Sequence, residues 1–176
     1  EPEPVVEAEQ VKLAEKPKNL KSNSGIIVDG EHGCLVKFAK CCNPLPGDPV
    51  IGFITKGYGI SIHKANCPNV IAGMKRAEDA GRWVKASWES QSGSVNDAYE
   101  VILQLHVADR IGVIADVAAA LADMKVPILF INSQRRTNGC GIINLKISCR
   151  NIDHYQIIVD RLKSLDGVDD VVRGFI

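Results

Sequence analysis

The chain has 176 residues, with 21 Lys and Arg against 21 Asp and Glu, so its formal net charge is zero. That balance excludes a uniformly basic nucleic-acid binder and a strongly acidic solvating chain. Apolar residues make up 45% and aromatics only 5%, so a core must rest on Val, Ile, Leu and Ala.

The charge is uneven along the chain. Residues 25–76 carry six Lys/Arg (Lys37, Lys40, Lys56, Lys64, Lys75, Arg76) against three acids (Asp29, Glu31, Asp48). Residues 97–176 carry nine Lys/Arg against ten acids. Zero is thus a sum of unlike parts, which suggests two modules. No apolar run approaches the ~20 residues of a membrane helix. Four of the six cysteines (Cys34, Cys41, Cys42, Cys67) fall early, and Cys140 and Cys149 come late. With no secretory signal, this reads as a reduced, cytoplasmic protein with a metal or thiol-rich patch. A start at Glu1 rather than Met reads as a piece of a longer protein.

Residues 1–24 are charged and hold three prolines, so a disordered linker or tail is expected there. Short β-prone runs follow at 26–28, 34–38, 50–54 and 60–63. Turn chemistry separates them, as in Asn43-Pro44-Leu45-Pro46-Gly47-Asp48 and Lys56-Gly57-Tyr58-Gly59. Residues 68–80 predict a helix with Pro68 in its first turn. Residues 82–89 predict a strand that packs Trp83 and Trp88. The polar stretch 91–96 is the expected boundary between a module over 25–90 and another over 97–176.

Beyond it, Tyr99, Val101, Leu103, Leu105 and Val107 alternate with polar residues, as in a half-buried strand. The turn Asp109–Gly112 leads to a helix with Ile114, Val117, Leu121 and Met124 on one face. A strand over 127–136, a hairpin at Asn138-Gly139 and a strand over 143–149 follow. Asp153 with Gln156 resembles a capping box opening a helix through Leu162. A last strand covers 168–175. The order βαββαβ is ferredoxin-like, so the fold class is α+β: a small β-rich cysteine module with one helix, then a ferredoxin-like module.

Three constellations could carry chemistry. Cys41, Cys42, His63 and Cys67 offer three thiolates and an imidazole, a set suited to tetrahedral zinc; a metal-free packed patch of small apolar thiols fits the same residues. Lys37, Lys40, Lys56, His63 and Lys64 interleave with Phe38, Phe53 and Tyr58. Such a surface can grip a phosphate backbone and stack on bases, or be a solvated face over an aromatic core. The turn Asp109, Arg110, Ile111, Gly112 and Val113 can present helix N–H groups to a carboxylate, or be an ordinary strand-to-helix turn. No catalytic set emerges: His106 and His154 have no nucleophile close in sequence, and there is no P-loop or G-x-S-x-G.

Residues 34–70 resemble the conserved-cysteine module of long RelA/SpoT-family proteins, the stringent-response (p)ppGpp synthetase/hydrolases. The matching motifs are A-K-C-C-N-P at Ala39–Pro44, P-G-D at Pro46–Asp48, G-x-I-T at Gly52–Thr55 and H-x3-C-P at His63–Pro68. Residues 97–176 resemble the ACT domain that follows it, with D-R-x-G at Asp109–Gly112. The resemblance implies a non-catalytic C-terminal regulatory region without the synthetase and hydrolase domains. It implies contact with the ribosome and its RNA, for which the basic and aromatic surface above offers Lys37, Lys40, Lys56, Tyr58, His63 and Lys64, and control of the parent's catalytic domains. It also implies that ACT binds a branched-chain amino acid or forms a homodimer. The family often reads T-R-G-R-G where this chain has Thr55-Lys56-Gly57-Tyr58-Gly59. Tyr58 therefore replaces a charge, and a contact there would be a stack or a weaker one. Rival readings are an amino-acid-binding regulatory subunit of a biosynthetic enzyme and an independent zinc-dependent nucleic-acid binder.

Overall fold

The computed structural model describes residues 25–29, 35–57, 59–89 and 98–174. The expected tail, the break at 91–96, Cys34 and Tyr58 lie outside the described residues.

The first part is a five-stranded sheet. Strands β1 (Ile26–Val28), β2 (Val36–Phe38), β3 (Val50–Ile54), β4 (Ile60–Lys64) and β5 (Trp83–Trp88) lie in the order β1-β5-β3-β4-β2. β2 runs parallel to β4, and the other pairings are antiparallel. Ile26 and Val28 from β1 and Ile62 from β4 form its buried cluster. The chain returns between β3 and β4 through Gly57 and Gly59, at φ +88° and +83°. A side chain at Gly59 would strike the Leu35 carbonyl, so this turn needs glycine for space as well as for φ.

The helix expected over 68–80 is shorter. α1 covers Pro68–Met74, Lys75 closes it through a bond to the Gly73 carbonyl, and Arg76 is extended. A 3-10 helix, Ala77–Arg82, follows. The break lets the chain turn back so that the Trp83 ring lies on Gly73, where a Cβ would come within 2.7 Å of it.

The second part has strands β6 (Tyr99–Ala108), β7 (Ile128–Arg135), β8 (Cys140–Cys149) and β9 (Val168–Arg173) in the order β7-β8-β6-β9, all antiparallel. Helices α2 (Val113–Asp123) and α3 (Ile152–Lys163) complete the βαββαβ fold. Val101, Leu103, Leu105 and Leu145 face the helices and are fully buried. From α2 the buried residues are Val113, Val117, Ala120 and Leu121. Ile114 was expected on that face but is 40% exposed, because the stripe is centred one residue earlier. The cap of α3 also differs from expectation. Asn151, not Asp153, is the N-cap, and its side chain accepts from the His154 N–H at 2.8 Å. Gln156 instead donates to Asp160 one turn on. Asn138-Gly139 does close a β7–β8 hairpin, with the Arg136 N–H on the Cys140 carbonyl.

The two parts share a core. Leu45, from the loop between β2 and β3, is fully buried in the same cluster as Leu103, Tyr155 and Val171. Phe38 stacks on Trp88 at 5.7 Å, and Tyr99 meets both rings edge-on. No helix among the described residues is long and apolar enough to cross a membrane.

Candidate metal centre and adjoining surfaces

Local folding brings Cys41, Cys42, His63 and Cys67 to one point. Cys41 and Cys42 sit in the turn after β2, where the N–H groups of Cys42 and Asn43 reach back to the Ala39 carbonyl. His63 projects from β4, and Cys67 is the residue before α1. Their ligand atoms all lie within 4.8 Å of one another. The Cys41 sulfur is 3.9 Å from that of Cys42, 3.6 Å from that of Cys67 and 3.4 Å from His63 Nδ1. A tetrahedron with Zn–S bonds of about 2.3 Å has edges of about 3.8 Å. The spacing therefore fits a tetrahedral ion, and this cluster could hold one.

Burial pushes the Cys42 thiol up to about 12, and the neighbouring Cys41 and Cys67 add to the rise. The Lys64 N–H, 3.3 Å from the Cys42 sulfur, opposes it. Thiolates packed this closely need a cation, which reverses the penalty of burial. Burial lowers the His63 pKa, favouring the neutral ring that can ligate a metal. Ser61 Oγ lies 3.3 Å from His63 Nε2, so with Nδ1 on a metal the Nε2–H would donate to Ser61. Four protein ligands complete a tetrahedron and leave no place for a reacting water. A metal held here would cross-link the turn, β4 and α1.

Lys37, Lys40 and His63 line a cleft of about 480 Å³ beside the thiols, with Phe38 and Ser61. Lys37, Lys40 and Lys56 are exposed, whereas Lys64 is half-buried and its pKa is lowered by burial and then by Arg173. Of the aromatic residues expected to stack on bases, Phe38 and Phe53 make ring contacts within the protein, and Tyr58 lies outside the described residues. Phe38 is held by Trp88 and Tyr99; Phe53 lies 4.6 Å from Trp83 and under the Arg82 guanidinium at 4.3 Å.

Asp109, Arg110, Ile111, Gly112 and Val113 all line a second cleft, of about 610 Å³, between α2 and the β7–β8 end of the sheet. Gly112 has φ +89° and starts α2 without a side-chain cap. Arg110 lines this cleft and is also engaged by its own neighbours. It donates to Asp116 at 2.5 Å and to the Asp166 carbonyl at 2.7 Å, strapping this turn to the one before β9. Cys140 is exposed, and Cys149 is buried with its thiol on the Asn151 carbonyl.

Sequence reasoning missed Asp48 and Arg173. They pair through two contacts of 3.0 and 2.9 Å, with side chains only 6% and 10% exposed. One signal was present: Val171 faces the core, so the period of 2 also turns Arg173 inward, where an unpaired charge is untenable.

The second part thus has the βαββαβ order of a ferredoxin-like fold, joined to a small sheet whose thiol cluster could hold a metal ion. Residues 26–89 match the RelA/SpoT RIS domain and residues 95–173 match the ACT domain. The chain belongs to the RelA/SpoT family, as its C-terminal regulatory region. It is 33% identical over 168 residues to the bifunctional (p)ppGpp synthase/hydrolase RelA of Mycobacterium tuberculosis, covering 94% of this chain and 22% of that protein. It is 32% identical over 158 residues to the GTP pyrophosphokinase of Escherichia coli K12, covering 89% of this chain and 20% of the relative. The chain thus spans about a fifth of the length of these curated relatives. The crystal structure of the ACT domain from the GTP pyrophosphokinase of Chlorobium tepidum matches at 21% identity and a TM-score of 0.39, covering 44% of this chain and 99% of that one.

Proposed function

We propose that this region regulates a cytoplasmic (p)ppGpp synthetase/hydrolase of the stringent response by reporting ribosome state to the catalytic domains of its parent. In this reading Cys41, Cys42, His63 and Cys67 hold a structural zinc ion. The zinc-braced turn and Lys37, Lys40, Lys56, Tyr58, His63 and Lys64 form the face toward ribosomal RNA. The observation that carries the proposal is the cleft in which Lys37 and Lys40 stand beside the thiol cluster. A metal there would hold those cations in one geometry, and pre-organised cations grip phosphates at low entropic cost. Phe38 and Phe53 are half-buried against Trp88 and Trp83, so phosphate contact from the lysines is the main term in this reading. Association of the chain with stalled and with empty ribosomes tests the reading. Preferential binding to stalled ribosomes supports it, and equal weak binding to both removes it.

For the ACT half, two features support ligand binding or pairing. The cleft at Asp109–Val113 is large enough for a branched-chain amino acid. Strand β7 is an edge strand whose Leu129 and Phe130 are 50% and 56% exposed, which suits a second copy. Calorimetry with leucine, isoleucine and valine tests the first, and sedimentation tests the second. Flat titrations and a monomer at all concentrations would remove both.

A further inference from the structure

The loop between β2 and β3 serves two masters. Its first half supplies Cys41 and Cys42 to the thiol cluster. Its second half, Asn43–Asp48, is bolted to the ACT module. Arg173 Nη2 donates to the Asn43 carbonyl at 2.5 Å, on the residue directly after Cys42. The same guanidinium grips both oxygens of Asp48 and lies over the Tyr155 ring at 5.3 Å. Asp48 in turn closes the loop by accepting from the Leu45 N–H at 2.7 Å. Leu45 fills the ACT core, and the Ile152 N–H, at the start of α3, bonds the Pro46 carbonyl at 2.9 Å. Gly47 has φ +103°, and a side chain there would overlap Ile152.

We propose that this loop couples metal occupancy to the seating of the ACT module, with Arg173 and Leu45 as positioning residues for a metal that neither touches. The proposal rests on the metal reading above. Without the ion, the approach of the three thiols and the imidazole rests on apolar packing alone, and the Cys41–Asn43 turn can relax. Relaxation moves the Asn43 carbonyl, which Arg173 holds, and so loosens β9 and the start of α3. By linkage the reverse also holds: loosening the ACT contact weakens the metal site by the same factor. A change in either module would thereby reach the other through one eight-residue segment, Cys41–Asp48.

The test uses the whole chain, with zinc as the probe. Zinc affinity is measured by competition with a chelator for the wild type, Arg173→Met, Leu45→Ala and Asp170→Asn. Asp170 bonds Lys163 at the surface of the same strand, so it controls for general effects on β9. Hydrogen exchange over residues 152–173 is compared with and without zinc. The expected result is an affinity loss of about tenfold in Arg173→Met and Leu45→Ala, inside the usual ~5–150-fold range of site coupling. Asp170→Asn should match the wild type, and zinc removal should speed exchange over Ile152–Tyr155 and β9. Should Arg173→Met fail to fold, Leu45→Ala and the exchange measurement decide. Affinities within twofold of the wild type, or exchange unchanged by zinc, overturn the coupling while leaving the metal site standing. A wild-type chain that takes up no zinc overturns both.

Discussion

Replacing Gly47 with alanine isolates the docking of the two modules. Gly47 sits at φ +103°, a region that side chains rarely enter, and such backbone strain costs about 1–3 kcal/mol. The new methyl would also overlap the Cγ2 of Ile152, whose Cβ lies 3.2 Å away. Relieving that overlap adds about 1–3 kcal/mol, as overpacking does elsewhere. The alanine gains back about 0.4–1 kcal/mol by restricting the unfolded chain. The net expectation is a loss of about 1–5.5 kcal/mol, read from urea unfolding followed by circular dichroism. A double-mutant cycle separates the two causes. In Gly47→Ala/Ile152→Ala the steric part should vanish while the backbone part remains, giving a favourable coupling of about 1–3 kcal/mol. A single variant within about 0.5 kcal/mol of the wild type, or a coupling near zero, would refute the reasoning, since surface changes without such features stay in that range.

Other outcomes follow from the same geometry. Cys42→Ser and Cys67→Ser should each abolish stoichiometric zinc uptake, whereas Cys149→Ser should leave it intact; metal analysis after dialysis distinguishes them. Zinc uptake should release protons at neutral pH, because the Cys42 thiol is pushed up to about 12 and must ionise to bind; calorimetry in buffers of different ionisation enthalpy reads the number. In the metal-free chain, burial holds His63 and His154 below the ordinary 6.5. The unfolded chain then binds more protons as pH falls below 6.5, so stability should drop there and be intact above it; a flat unfolding profile from pH 7.5 to 5.5 would contradict this. Asn151→Ala removes the α3 cap and should cost about 1 kcal/mol in urea unfolding. Lys37→Glu with Lys56→Glu should weaken RNA binding and flatten its salt dependence; binding unchanged at every salt concentration would count against an RNA face.

Much of the fold was legible because it is periodic. The alternation along β6 and β8 and the 3.6 spacing of α3 are local records of which side faces the core. The turns were legible for a similar reason: Gly57, Gly59, Gly112 and Gly139 all adopt positive φ, which only certain residues tolerate. Helix ends were less legible. Asn151 and Asp153 are both capable caps, and the tertiary fit of Ile152 against Gly47 accompanies the choice of Asn151. The α1 break at Lys75–Arg76 carries no proline or glycine at that point, because the packing of Trp83 on Gly73 decides it from outside the helix.

The sequence by itself determined the two-part organisation, the βαββαβ order, the four candidate ligands and the family resemblance, since each is a matter of residue type at short range. Only the tertiary structure decided that the four ligand atoms lie within 4.8 Å of one another, that Phe38 and Phe53 pack against Trp88 and Trp83, and that Arg110 is a strap. Only it joined Asp48 to Arg173, 125 residues apart. The physical reason is that contacts across such separations depend on how whole sheets and helices dock. No local pattern of polarity or turn chemistry encodes which buried charge will meet which.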